Sequence, residues 1–272
     1  MNCAGLQPGA IHILLLFPLF LSAQPYTLEP KREAWIGGAG LVFLAADLGL
    51  STALEPLRAQ DIAALDPAAV WGPDRSALKR YSMAADLRSD VALAVSTAAA
   101  GVSGLLALDG KPFQREGVVL GVLWLETNVL AIGGTLFCKD AVHRARPFVY
   151  NTAVPLGPKL EKDARRSFFS GHTSLAAANT FFAAKVFSDY FPESPWKPMV
   201  WGLAAALPAW TGLERYLAGK HFPSDALAGY GFGALCGWLI PHLHRNAGDP
   251  SSLQILPFSG NESAGVSLLL EF

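Results

Sequence analysis

Six apolar stretches alternate with polar segments along the chain, at about 36–55, 91–108, 117–137, 172–191, 199–213 and 226–243. A helix that crosses a bilayer needs about 20 predominantly apolar residues. The second, third and sixth stretches meet that length; the fifth is short and holds Pro208, and the fourth carries Lys185 and Asp189 toward its end. Ala and Gly recur inside them, as in Ala98 to Gly101 and Gly229 to Gly233. Small residues let helix backbones approach closely where lipid supplies no hydrophobic drive. The pattern predicts an all-α multi-helix bundle of about six transmembrane helices with one polar face. A soluble all-helical core is the alternative.

Residues 56–88 read as a polar, amphipathic insert with turn signals at Trp71 to Asp74, and 148–168 as a second polar loop ending in Arg165 and Arg166. At the C-terminus, Leu253 to Phe258 and Val266 to Phe272 flank a Ser, Gly and Asn segment, which predicts a short β-hairpin. At the N-terminus, the apolar run Ile13 to Leu21 followed by Ser22, Ala23 and Gln24 resembles a secretory signal cut after Ala23. An uncleaved anchor is the other reading, because no Lys or Arg precedes the run. The expected layout is a signal peptide at 1–23, a helical domain at 24–250 and a hairpin tail at 251–272.

Composition fits this picture. The chain has 272 residues, of which 51% are hydrophobic and 16% charged, and its mean hydropathy is +0.31. Soluble domains carry about 25% charged residues. The net charge of −1 gives no reason to expect nucleic acid as a partner. Cys3, Cys138 and Cys236 show neither metal-ligand spacing nor a disulfide framework. Asp47, Glu126 and Lys185 lie inside apolar stretches and are expected to make polar contacts between helices.

Three short islands sit at the ends of apolar stretches: Lys139 to Pro147, Phe169 to His172, and Arg215 to Asp225. Alternating helices return to one membrane face at every second crossing, so all three belong on a common face. Lys139, Arg146 and Arg215 are candidate phosphate holders. An Arg fork matches phosphate oxygens bidentately and a Lys adds a point charge. Ser170 and Gly171 open the fourth stretch, where the free N–H groups of a helix start favour an anion. His221 and Asp225 are four apart; a carboxylate on one ring nitrogen fixes the tautomer and frees the other to attack. His221 is thus the candidate nucleophile, forming a phosphohistidine, with His172 as general acid for the leaving oxygen.

These islands resemble the three motifs of the type 2 phosphatidic acid phosphatase superfamily, shared with class A bacterial acid phosphatases and vanadium haloperoxidases. The first motif, Lys, six residues, Arg-Pro, is met by Lys139, Arg146 and Pro147. The second, usually Pro-Ser-Gly-His, appears as Phe169, Ser170, Gly171 and His172. The third, usually Ser-Arg, five residues, His, three residues, Asp, appears as Glu214, Arg215, His221 and Asp225. The resemblance implies Lys139, Arg146, Ser170, Gly171 and Arg215 as phosphate ligands, His221 as nucleophile, Asp225 as its partner and His172 as acid, with no metal and no other cofactor. Phe169 departs from the usual Pro. Glu214 departs from the usual Ser and is expected to weaken anion affinity or to pair with Arg165 or Arg166.

The expected activity is hydrolysis of a lipid phosphate or lipid diphosphate, with membrane lipids as surroundings, in a bacterial envelope and its inner membrane. Alternatives are an exported acid phosphatase for small phosphomonoesters, a vanadium haloperoxidase, and a non-catalytic membrane protein with a relic site.

Overall fold

The computed structural model describes residues 25–110 and 114–246, together with the backbone of 253–259 and 264–270. The expected signal peptide lies outside the described residues. Each apolar stretch falls on a long helix: α1 (Pro30–Ala53), α3 (Met83–Ala107), α4 (Arg115–Val142), α7 (Gly171–Tyr190), α8 (Lys197–Leu217) and α9 (Pro223–Leu243). The polar inserts hold short helices, α2 (Ala59–Ala63), α5 (Pro147–Tyr150) and α6 (Leu156–Lys159), and 3-10 turns at Pro67–Ala69, Gly72–Lys79 and Lys162–Arg165. In the tail, strands β1 (Leu253–Ser259) and β2 (Ala264–Leu270) pair antiparallel, Leu253 opposite Leu270.

Among the described residues, four helices are long and apolar enough to cross a membrane: α1, α3, α9, and α4 counted on through Tyr150. The molecule is therefore a mostly helical membrane protein. α7 and α8 fall short of that measure, and the structure shows why for α7. It is the central helix, packed against α3, α4, α8 and α9, so its residues answer to neighbouring helices rather than to lipid. Thr180 donates to the Ala204 carbonyl of α8 at 2.9 Å, and Ser103 of α3 donates to the Ala183 carbonyl at 2.8 Å.

The bundle is small inside and bulky outside. On α3 the buried positions are Ala85, Ser89, Ala92, Ser96, Ala100 and Ser103, one stripe at helical spacing. Leu87, Val91, Val102 and Leu105 on the same helix are exposed. Such an arrangement would be costly in water and suits hydrocarbon, where association rests on close packing and interhelical hydrogen bonds. α9 carries the tightest example. A Cβ on Gly229 would lie 2.4 Å from the Ser170 carbonyl oxygen, on Gly233 1.9 Å from that of Ser174, and on Gly237 2.2 Å from that of Ala178. Three glycines spaced by four thus let α9 lie directly on the α7 backbone.

The polar inserts cap one end of this bundle. Leu57, Phe148, Val149, Val154 and Ala164 form one small core there, and Val70, Ala77 and Phe222 a second. These cores hold the inserts over the ends of α4, α7, α8 and α9, where the three islands meet.

Candidate active site

Lys139 lies in the last turn of α4, buried, and its Nζ donates to the Arg166 carbonyl at 2.6 Å. A Cβ placed on Gly171 would sit 3.7 Å from Cε of Lys139, so the lysine crosses the start of α7. α4 ends at Val142, with His143 left-handed at φ 54°, four residues before Pro147. Arg146 is extended (φ −73°, ψ 154°), as the residue before proline must be. That conformation turns its guanidinium inward. Nε donates to the Asp163 carbonyl at 2.9 Å, Nη2 to Asp163 Oδ1 at 2.8 Å and Nη1 to the Lys220 carbonyl at 3.2 Å. Nη1 also stands 3.4 Å from Nε2 of His221.

Ser170 caps α7, its hydroxyl facing the Thr173 amide, and its own N–H donates to the Asp225 carbonyl at 3.0 Å. The second and third islands are therefore joined through the backbone. Arg215, in the last turn of α8, donates from Nη1 to Asp86 and, at 3.2 Å, to Ser89. Its Nε is buried with no hydrogen-bond partner.

His221 is 1% exposed. Its Nδ1 faces the Ser167 carbonyl oxygen at 2.7 Å. A carbonyl can only accept, so Nδ1 carries the proton and Nε2 presents its lone pair toward Arg146. Burial first, then the charges of Lys139, Arg146 and Arg215, hold the ring well below the ordinary histidine range. The imidazole is thus kept neutral and able to attack. Burial alone would raise Asp163, but Arg146 and Lys139 outweigh it and hold that carboxyl below its usual value.

Two expectations need correction. Asp225 was to accept from His221, yet its Oδ2 stands 3.7 Å from Nδ1. That oxygen instead accepts from the Ser167 hydroxyl and, at 2.9 Å, from the Phe222 amide, while Oδ1 takes Arg144. Asp225 therefore orients the imidazole indirectly, through the Ser167 segment and the turn that carries the ring. Glu214 was to weaken anion binding or pair with Arg165 or Arg166. It turns away to Arg88 of α3, meeting Nε at 2.9 Å and Nη2 at 2.8 Å. Arg166 is occupied by Asp140 and stands 3.9 Å from Asp47. Lys185 pairs with Asp189.

Asp90, Arg144, Asp74 and Asp86 are residues around the site that the sequence reading did not single out. His172 Nε2 lies 2.8 Å from Asp90 Oδ1 of α3. Arg144, inside the first island, bridges Asp225, Ser224 and Asp74, and its guanidinium lies 4.0 Å over the Phe222 ring. Asp74 had been read only as part of a turn. Asp86 and Asp90, four apart in the first turns of α3, face Arg215 and His172.

Three basic side chains and a capped helix start thus gather around one unprotonated imidazole nitrogen, at the polar end of a membrane bundle, and groups of this kind can hold an anion. Among known proteins, residues 119–249 match the model of the PAP2 superfamily, and that match shows the resemblance read from the three motifs. The chain is 38% identical over 98 residues to a lipid A 1-phosphatase of Rhizobium johnstonii, covering 35% of this chain and 36% of that one. It is 37% identical over 135 residues to a lipid A 1-phosphatase of Rhizobium etli, 47% and 53% of the two chains. To a probable diacylglycerol pyrophosphate phosphatase 1 of Schizosaccharomyces pombe it is 30% identical over 131 residues, 40% and 46%. The chain thus spans between about a third and a half of the length of these relatives.

Proposed function

We propose that this chain is a phosphatase that hydrolyses a lipid phosphate or lipid diphosphate through a phosphohistidine on His221. The observation that carries the proposal is the His221 ring, with Nδ1 fixed by the Ser167 carbonyl and Nε2 directed at Arg146. Lys139, Arg146, Arg215 and the amides of Ser170 and Gly171 would hold the phosphoryl oxygens, and placing positive charge there is the main demand of phosphoryl transfer. Nε2 attacks phosphorus and the bond to the leaving oxygen breaks. His172 gives that oxygen its proton, then takes one from water as the water attacks phosphorus and releases phosphate from Nε2. The chemistry asks nothing of a metal.

A lipid substrate is supported by an apolar groove of about 490 Å³ between α8 and α9, lined by Pro208, Leu213 and Leu227 among others. Its lining includes Thr173 and Tyr216, near Ser170 and next to Arg215 in the sequence, so an acyl or prenyl chain could lie there while its phosphate meets the basic side chains. The lipid phosphatases among the relatives support the same reading. In this proposal all six long helices span a bacterial inner membrane, 1–23 is the signal peptide, 24–250 the phosphatase domain and 251–272 a hairpin tail.

The test is a phosphate-release panel across glycerophospholipid phosphates, polyprenyl diphosphates, lipid A and small phosphomonoesters. Lipid substrates should be favoured, vanadate should inhibit, EDTA should leave the initial rate unchanged, and His221→Ala should abolish turnover. Preference for small phosphomonoesters would support the exported acid phosphatase instead. Vanadate-dependent halide oxidation would support the haloperoxidase.

A further inference from the structure

At the end of the bundle away from the phosphate pocket, three side chains from separate elements face one another. Glu33 is in the first turn of α1, Glu126 is 13 residues before Lys139 on α4, and His244 follows the last residue of α9. At 1.5 Å per residue, that spacing puts Glu126 about 20 Å from the catalytic end. Nε2 of His244 lies 2.8 Å from Glu33 Oε2 and 3.3 Å from Glu126 Oε2. All three ligand atoms fall within 4.8 Å of one another.

Two of the three are oriented from behind. Nδ1 of His244 faces the Ile240 carbonyl at 2.7 Å and so carries the ring proton, leaving the Nε2 lone pair toward both carboxylates. Oε1 of Glu33 accepts from the Glu29 amide at 2.7 Å and stands 3.3 Å from Arg32, leaving Oε2 for the cluster. Arg32 is otherwise committed to the carbonyls of Leu243 and Thr27. The Glu126 side chain is 10% exposed and His244 0%, and Oε2 of Glu126 is buried without a hydrogen-bond partner.

Three acceptors converging in a buried space need something positive between them. Ligands about 2.1 Å from a tetrahedral ion stand about 3.4 Å apart; the His244–Glu126 distance of 3.3 Å is of that size, and the 2.8 Å to Glu33 would open slightly around an ion. A histidine held by a carbonyl behind it is the usual way a metal-ligating imidazole is oriented. We propose that Glu33, Glu126 and His244 form a site for a divalent transition cation, with zinc suited to two carboxylates and an imidazole. Bound there, the ion ties α1, α4 and the end of α9 together and takes no part in phosphate release.

The test uses the full chain, purified in detergent without chelator. About one zinc per chain should be found by elemental analysis. Stripped protein should regain thermal stability on adding zinc chloride, with its initial rate of phosphate release unchanged. Glu126→Gln and His244→Gln each remove a proposed ligand, so each should weaken zinc binding by more than the roughly tenfold loss that follows when only a residue behind a ligand is changed. His143→Asn, on an exposed residue, should bind as the parent does. Should His244→Gln fail to fold, parent metal content and the Glu126→Gln titration still decide. Absence of zinc and of zinc-dependent stabilisation in the parent, or undiminished binding by Glu126→Gln, would overturn the site and leave a shared proton as the positive charge.

Discussion

Single side chains in this pocket differ sharply in what they are asked to do. In the proposed reaction His221 attacks phosphorus, so His221→Ala should lower kcat by about three orders of magnitude or more, measured as phosphate release. Asp225 acts through Ser167 and the Phe222 turn, so Ser167→Ala should cost much less. Its carbonyl still holds Nδ1, and one hydrogen bond to a buried charge is worth about 1.5–3 kcal/mol. The pH profile provides a separate check. Burial, and then the charges of Lys139, Arg146 and Arg215, depress the His221 ring, so the imidazole stays neutral as pH falls below the ordinary histidine value of about 6.5. Lys139→Met removes one of those charges and should move the acid limb of kcat/KM upward, whatever happens to its height. Glu214 supplies a third case. Arg88→Ala leaves its buried carboxylate unpaired and should lower Tm, whereas Arg88→Ala with Glu214→Ser should recover most of the loss, a coupling that a double-mutant cycle would read.

Among the helices, the α7–α9 contact makes the clearest demand. A methyl at Gly233 would collide with the Ser174 carbonyl, but one at Gly231 meets nothing within 4 Å. Gly233→Ala should therefore cost about 1–3 kcal/mol through overpacking, seen as a lower Tm in detergent. Gly231→Ala should leave Tm unchanged or raise it, since alanine is the better helix former. The glycine-rich run was visible in the sequence, yet only the structure separates these two positions, because the periodicity does not reveal which face meets α7. The long helices themselves were legible because lipid-facing residues must be apolar over a fixed length. The fourth and fifth stretches, α7 and α8, were the weaker ones; α7, enclosed by four other helices, has no lipid to satisfy. The islands were legible because their spacings are local. Their acidic counterparts, Asp74, Asp86, Asp90 and Asp163, were not: each comes from another element at no fixed separation, and nothing in the chain pairs them in advance.

Viewed whole, the molecule is a stack of small residues dressed in leucine and valine, and it should leave the membrane only with detergent. Fractionation with osmotic shock checks this; release into the soluble fraction would count against the six-span arrangement. The trough between α8 and α9 has a further consequence for the proposed reaction. Its lining includes Thr173 and Tyr216, close in sequence to the residues proposed to hold phosphate, so in that reaction the two products face different exits. The dephosphorylated lipid can slide sideways into the bilayer while inorganic phosphate diffuses into water. Partition into separate phases keeps the products apart and limits their re-encounter at the site.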